Sequence, residues 1–202
     1  MLTTPVAALP CRHDAGAQQN TAASAEHVTV RVSPTVSQAL LTKVPAAYRT
    51  QINDALLSAL TRSITRWTGD SRTRLVLEGH GREEVFDDVD VARTVGVFTS
   101  FYPVVLTADP GASVGATLTR VKEALRAVPH RGLRFGVLRY LNDASGLPRV
   151  PAAEISFNYL GRFDGDSRAT IFTGIAPESA GAAYTEEGLR RYVLDINGIQ
   201  NG

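Results

Sequence analysis

Ile52, Leu56, Leu60, Ile64 and Trp67 recur at intervals of four, four, four and three residues. That spacing lays an apolar stripe along one face of an α-helix. Gly69 follows as its stop signal. A striped helix must bury its stripe, and the flanking segments supply the surface. Arg72–Glu78 is β-like and breaks at Gly79-His80-Gly81. Val95–Leu106, with its Val, Phe, Thr and Tyr, reads as a buried strand bent at Pro103. Val114, Leu118, Val121, Leu125 and Val128 mark a second amphipathic helix, closed by Pro129. Glu154–Leu160 alternates, with Ile155, Phe157 and Tyr159 on one face, and Arg190–Ile196 reads as a last strand. Helices and strands interleave, so the expected class is mixed α/β: a mixed sheet with packed helices.

Weaker signals fill the gaps. Val28–Val32 alternates like a short strand. Ser33-Pro34 reads as an N-cap followed by proline at the first helical position. The helix it opens would run from Thr35 to about Lys43 and end before Pro45. Leu133–Leu141 suits another short helix. Residues 1–25 carry no sustained period and are expected to be a disordered lead, so the folded unit is placed at 26–202. Asn197-Gly198 is a strong hairpin-turn signal. Only Ile199–Gly202 follow it, so the chain reads as a fragment truncated at its end.

Composition narrows the functions. A net charge of +1 over 202 residues argues against a dedicated nucleic-acid binder. No stretch approaches the roughly 18 apolar residues of a membrane span. The lead lacks the positive flank of a secretory signal, so a cytoplasmic location is expected. The single Cys11 excludes an intramolecular disulfide. With His13 it supplies two potential zinc ligands where about four are wanted. Gly111–Gly115 matches a G-x-S-x-G nucleophile elbow, but Thr107–Pro110 separate it from the strand. Ser113 is more simply an N-cap. Phosphate-cradling and dinucleotide glycine motifs are absent, as is any histidine pair at metal-ligand spacing.

Two segments offer chemistry. Glu78–Glu84 (EGHGREE) sets a carboxyl, a histidine and an arginine at a strand end between glycines. A carboxyl facing a cleft there could act as acid or base, with Arg82 orienting it or binding an anion. The residues alone suit a polar turn facing water at least as well. Phe157–Gly161 (FNYLG) ends a strand, with Asn158 and Tyr159 directed to opposite faces. On the residues alone, a core strand with a rim tyrosine explains it better.

In order and spacing, EGHGREE, Arg93–Pro103 (RTVGVFTSFYP), Val121–Pro129 (VKEALRAVP), Gly136–Leu141 (GVLRYL) and FNYLG form a set. Val44–Leu60 and Leu194–Gly198 (LDING) extend it. Together they resemble the carboxy-terminal half of an epimerization domain of nonribosomal peptide synthetases, within the condensation-domain superfamily. The resemblance covers about residues 26–202. It implies one of two chloramphenicol-acetyltransferase-like lobes, with the active site in a tunnel between them. It implies a partner carrier domain whose phosphopantetheine arm bears an aminoacyl or peptidyl thioester. The implied reaction converts the L form to the D form, with no metal and no cofactor of the chain's own. By motif match Glu78 would be one acid/base, Arg82 an electrostatic support, and Asn158 and Tyr159 residues near the reacting centre. His80 would be structural.

The departures are equally specific. The family's other acid/base is a histidine in an H-H-x-x-x-D-G motif of the amino-terminal lobe, and this chain has no His-His pair. Val97 replaces a usual Trp, and Arg134-Phe135 a usual Gly-Tyr. The chain alone is therefore expected to be inactive without the missing amino-terminal lobe. A non-catalytic remnant and a carrier-docking fragment are the alternatives, with peptide-bond-forming condensation as the other parent activity.

Overall fold

The computed structural model describes residues 2–10, 20–84, 86–142, 150–163, 178–179, 181–182 and 184–201. Cys11 and His13 lie outside them. Helix α1 (Pro34–Gln38) continues through a π-helical turn at 39–43 into α2 (Val44–Tyr48). Ser33 caps α1 by accepting from the Val36 amide. Helical structure thus passes Pro45 instead of ending before it. Pro45 has no N–H to give, and it sits in the first turn of α2, where none is needed.

Helix α3 (Ile52–Thr68) follows, with Asp54 and the Gln51 backbone amide completing its amino-terminal cap. Gly69 closes it in the left-handed conformation, at φ 76°. The buried face is rotated from the simple stripe. Leu57 and Ile64 are buried together with Asp54, Ser58, Thr61 and Thr65, while Trp67 is half-exposed. The hydroxyls of Ser58 and Thr61 donate to carbonyls one turn back. That satisfies a polar atom inside and lets small residues face the sheet closely.

Strand β1 (Arg72–Gly79) pairs antiparallel with β2 (Ser100–Thr107). Helix α4 (Val114–Arg126), capped by Ser113, and α5 (Phe135–Tyr140) lead to β3 (Ile155–Phe163), which runs parallel to β1. Strand β4 (Leu194–Asn201) runs parallel to β3, giving the order β2-β1-β3-β4. Pro103 sits on the edge strand β2, where a missing N–H costs no ladder bond on the outer side. One sheet face carries Leu75, Leu77, Val104, Leu106, Ile155 and Phe157, all buried. Leu57 and Ile64 of α3 and Val121 of α4 pack into the same core.

Three expectations change. Val28–Val32 forms no strand, and its valines are exposed, because no neighbouring strand pairs with it. The buried part of the Val95–Leu106 run begins only at β2: Val95 and Val97 are fully or nearly fully exposed. Asn197-Gly198 does not turn, since β4 runs straight through it beside Asn158 and Tyr159. Gly198 serves instead as a seat for the Tyr159 ring, where an added Cβ would stand 3.2 Å from Cδ2.

The described part of the lead also packs. Leu9 is buried in the core, its amide donating to Glu154 Oε2 at 2.8 Å. The Ala7 amide donates to Asp70 Oδ2 at 2.9 Å, and Asn20 donates to the carbonyls of Arg190 and Tyr192. These contacts span up to 172 residues, so no local pattern announces them.

Candidate active site

Alternation sends Leu75 and Leu77 inward and Val76 and Glu78 to the opposite face of the sheet. Parallel pairing of Val76 with Ser156 and of Leu77 with Phe157 carries the same alternation into β3. Asn158, in the first half of β3, therefore emerges beside Glu78 near the carboxyl end of β1. Asn158 Nδ2 donates to Glu78 Oε2 at 2.8 Å, joining positions 80 residues apart. In β4, Asp195 and Asn197 pair with Ser156 and Asn158 and extend this polar strip. The Ser156 hydroxyl donates to Asp195 Oδ1. Desolvation by its surroundings raises the Glu78 pKa above the ordinary carboxylate value, and the negative charge of Asp195 adds to the rise.

Of the four residues singled out from sequence, Glu78 and Asn158 meet. Tyr159 lies on the other sheet face, half-buried against the core. Arg82 is committed to the loop between β1 and β2. Its guanidinium donates to the carbonyls of Val91 and Gly96, the latter at 3.1 Å, and lies 4.3 Å over the Phe98 ring. His80 braces the same turn, with Nδ1 accepting from the Arg82 amide and Nε2 3.1 Å from Glu83 Oε1. Glu83 in turn faces Arg131, at 3.6 Å. Gly81 makes this packing possible: at φ 68°, an added Cβ would lie 1.5 Å from the Phe98 carbonyl oxygen.

Sequence reading passed over Ser156 and Asp195. Each sits on a recognisable alternating strand, but it takes the β1–β3 register to bring Ser156, and the β3–β4 register to bring Asp195, to the Glu78 face. Ser113, inside the G-x-S-x-G match, accepts from the Ala116 amide at 3.1 Å as the α4 cap. Among the described residues no cluster of three or more His, Cys, Asp or Glu side chains is arranged to hold a metal ion. No described helix is long and apolar enough to cross a membrane.

A lobe with a four-stranded mixed sheet, helices on one face and a carboxyl–amide pair on the other defines a class. The chain belongs to the condensation-domain family, whose family model matches residues 2–202. That match reaches into the lead, ahead of the start near residue 26 read from the motifs. Among solved structures, the chain is similar to the epimerization domain from the third module of tyrocidine synthetase B, with a TM-score of 0.87 and 33% identity. The similarity covers 98% of this chain and 44% of that one. The condensation domain of the Monacolin K polyketide synthase MokA shares the fold, with a TM-score of 0.58 at 20% identity, over 77% of this chain and 35% of that one.

Curated relatives are nonribosomal peptide synthetases. A linear gramicidin synthase chain of Brevibacillus parabrevis is 44% identical over 91% of this chain and 2% of its own length. Bacitracin synthase 2 of Bacillus licheniformis is 38% identical over 86% of this chain and 7% of its own length. The chain thus spans only a small part of the curated relatives it matches. The mixed α/β fold of condensation-domain type is the one expected from the motifs.

Proposed function

We propose that this chain is part of an epimerization domain of a nonribosomal peptide synthetase. It would act on an L-aminoacyl or L-peptidyl thioester carried on the phosphopantetheine of a partner carrier domain. The observation that carries this reading is the Glu78–Asn158 hydrogen bond on an open sheet face, which joins EGHGREE to FNYLG. The TM-score of 0.87 to an epimerization domain supports epimerization over condensation as the parent activity.

The chemistry fits the residues. A thioester carbonyl acidifies the neighbouring Cα–H. A base takes that proton, and the C–H electron pair moves into an enolate whose charge rests on the thioester oxygen. An acid then returns a proton to the opposite face of Cα, and the electron pair moves back to form the new C–H bond. Glu78 fits one of these two acid/base roles, since a carboxyl with a raised pKa holds and releases a proton closer to neutral pH. Asn158 holds the carboxyl by one oxygen and leaves the other outside that bond. The second group would come from an amino-terminal lobe bearing the H-H-x-x-x-D-G motif. The phosphopantetheine would belong to the carrier.

The test is α-deuterium incorporation into a carrier-bound aminoacyl thioester in deuterated water. We expect none above background with the chain alone, and exchange once an amino-terminal lobe with that motif completes the domain. Glu78→Gln in the completed domain should slow exchange by about 10²–10⁴-fold, the usual contribution of a positioned acid or base. Exchange by the chain alone, or an unaffected Glu78→Gln domain, would refute the reading. Carrier binding that survives Glu78→Gln, with no exchange in either assembly, would favour the docking alternative.

A further inference from the structure

Asn158 holds the Glu78 side chain on one face of the sheet, and the end of β1 that carries Glu78 is backed from the other. Alternation turns the next residue, Gly79, to the face opposite Glu78. The space where its side chain would stand is enclosed. An added Cβ would lie 3.0 Å from Ser100 Oγ, 3.7 Å from the Tyr102 ring and 3.9 Å from the Arg131 carbonyl oxygen. Ser100 is the register partner of Gly79 on β2, and Tyr102 that of Leu77. Arg131 comes from elsewhere in the chain, the short helical turn Pro129–Gly132 between α4 and α5.

That turn is strained. His130 and Arg131 both take the left-handed conformation, at φ 47° and 48°, where Cβ crowds the following carbonyl oxygen. Gly132 follows at φ 80°, buried, and an added Cβ there would lie 2.0 Å from the Tyr102 ring. Two successive non-glycine residues keep such a conformation only where their surroundings over-determine it, and strain of this kind gathers beside functional groups. Two contacts fix the turn here. Gly132 is seated against Tyr102, and Arg131 Nε lies 3.6 Å from Glu83 Oε2. The other oxygen of Glu83, Oε1, lies 3.1 Å from His80 Nε2, so one carboxylate joins the segment that follows Gly79 to the turn that backs it. The Glu83 side chain is 20% exposed and that of Arg131 63%. A pair this open adds little to global stability, but it has only a local geometry to hold.

We propose that Glu83 is a positioning residue for Glu78: by clamping Arg131 to the Glu78–Glu84 segment, it holds the left-handed turn behind Gly79 and so fixes the strand end from which Glu78 meets Asn158. This rests on the acid/base reading of Glu78 and names the element that places it. Glu83 touches no reacting atom in this scheme. It acts only through the backbone of β1.

The test follows the Asn158 side-chain amide by NMR in the full chain labelled with ¹⁵N. Its signal is assigned by its loss in Asn158→Asp, and Glu78→Ala gives its position without the acceptor. Glu83→Gln keeps the shape and removes the charge, so the Asn158 signal should move toward the Glu78→Ala position. Arg131→Gln should move it the same way, and Arg131→Lys, which keeps the charge, should leave it near the parent. The double variant Glu83→Gln with Arg131→Gln should shift it by less than the sum of the two single variants, because each breaks the same clamp. An Asn158 signal unmoved in both Glu83→Gln and Arg131→Gln overturns the inference, and so does a double variant whose shift equals that sum. Should Glu83→Gln fail to fold, an unmoved signal in Arg131→Gln, at an exposed position, overturns it equally. The spectrum needs no substrate, so its failure leaves the exchange test of the proposed function standing. Failure of that exchange test, conversely, leaves the coupling of Glu83 to the Glu78–Asn158 bond measurable.

Discussion

Replacing Leu75 with alanine tests whether β1 is the centre of the core on which the Glu78 site depends. Leu75 is fully buried and faces Val104 across the β1–β2 pair. Leu→Ala removes three carbon atoms, a transfer loss of about 2.4 kcal/mol at ~0.8 kcal/mol per buried carbon. Strand β1 has neighbours on both edges, β2 and β3, and helix α3 packs against it, so the site has little freedom to collapse. The residual cavity should lift the total to about 3–4 kcal/mol, within the range seen for buried leucines. The assay is urea unfolding followed by far-UV circular dichroism. With a slope of about 2 kcal/mol per molar urea, the midpoint should fall by roughly 1.5–2 M. Val97→Ala, at a position 92% exposed, is the control and should change stability by less than about 0.5 kcal/mol. A Leu75→Ala midpoint within about 0.3 M of the parent at unchanged slope would refute the central placement of β1. The register that brings Glu78 to Asn158 would then need another foundation.

Two further outcomes follow from the same structure. Gly81→Ala cannot keep the turn at φ 68° with its Cβ against the Phe98 carbonyl, so the Arg82–Phe98 contact should break; faster amide hydrogen exchange across 80–98, with the β1 core unchanged, is the expected readout. Asp70 accepts from the Ala7 amide, the main reason its pKa is lowered, with Arg72 assisting. A lowered folded value means that stability is present above the unfolded value near 3.8 and lost as pH falls through the folded value. Acidification through that window should therefore release the Ala7 amide from the sheet end in the parent and not in Asp70→Asn, as followed by amide exchange at Ala7.

Much of the local structure was legible because it is local. The α3 period, its Gly69 stop and the Ser113 cap of α4 depend on neighbours within one or two turns. The alternation of Ile155, Phe157 and Tyr159 likewise declares a strand with one buried face. The order of the motifs, EGHGREE before FNYLG, was enough to indicate the family to which the chain belongs.

What a side chain meets across the fold is another matter. Val28–Val32 alternates as well as β3 does, yet it stays unpaired, because a strand needs a partner and the pattern says nothing about one. Asn197-Gly198 has the composition of a turn, but parallel pairing with β3 is satisfied only if the chain runs straight through. Leu9 enters the core through contacts more than a hundred residues away. The site obeys the same division: the sequence determined that a carboxyl and an amide lie on two strands, while β1–β3 pairing decided that they meet. Registering β4 against β3 then set Asn197 beside Asn158 and Asp195 beside Ser156, because hydrogen-bond register between distant strands is a property of the assembled sheet.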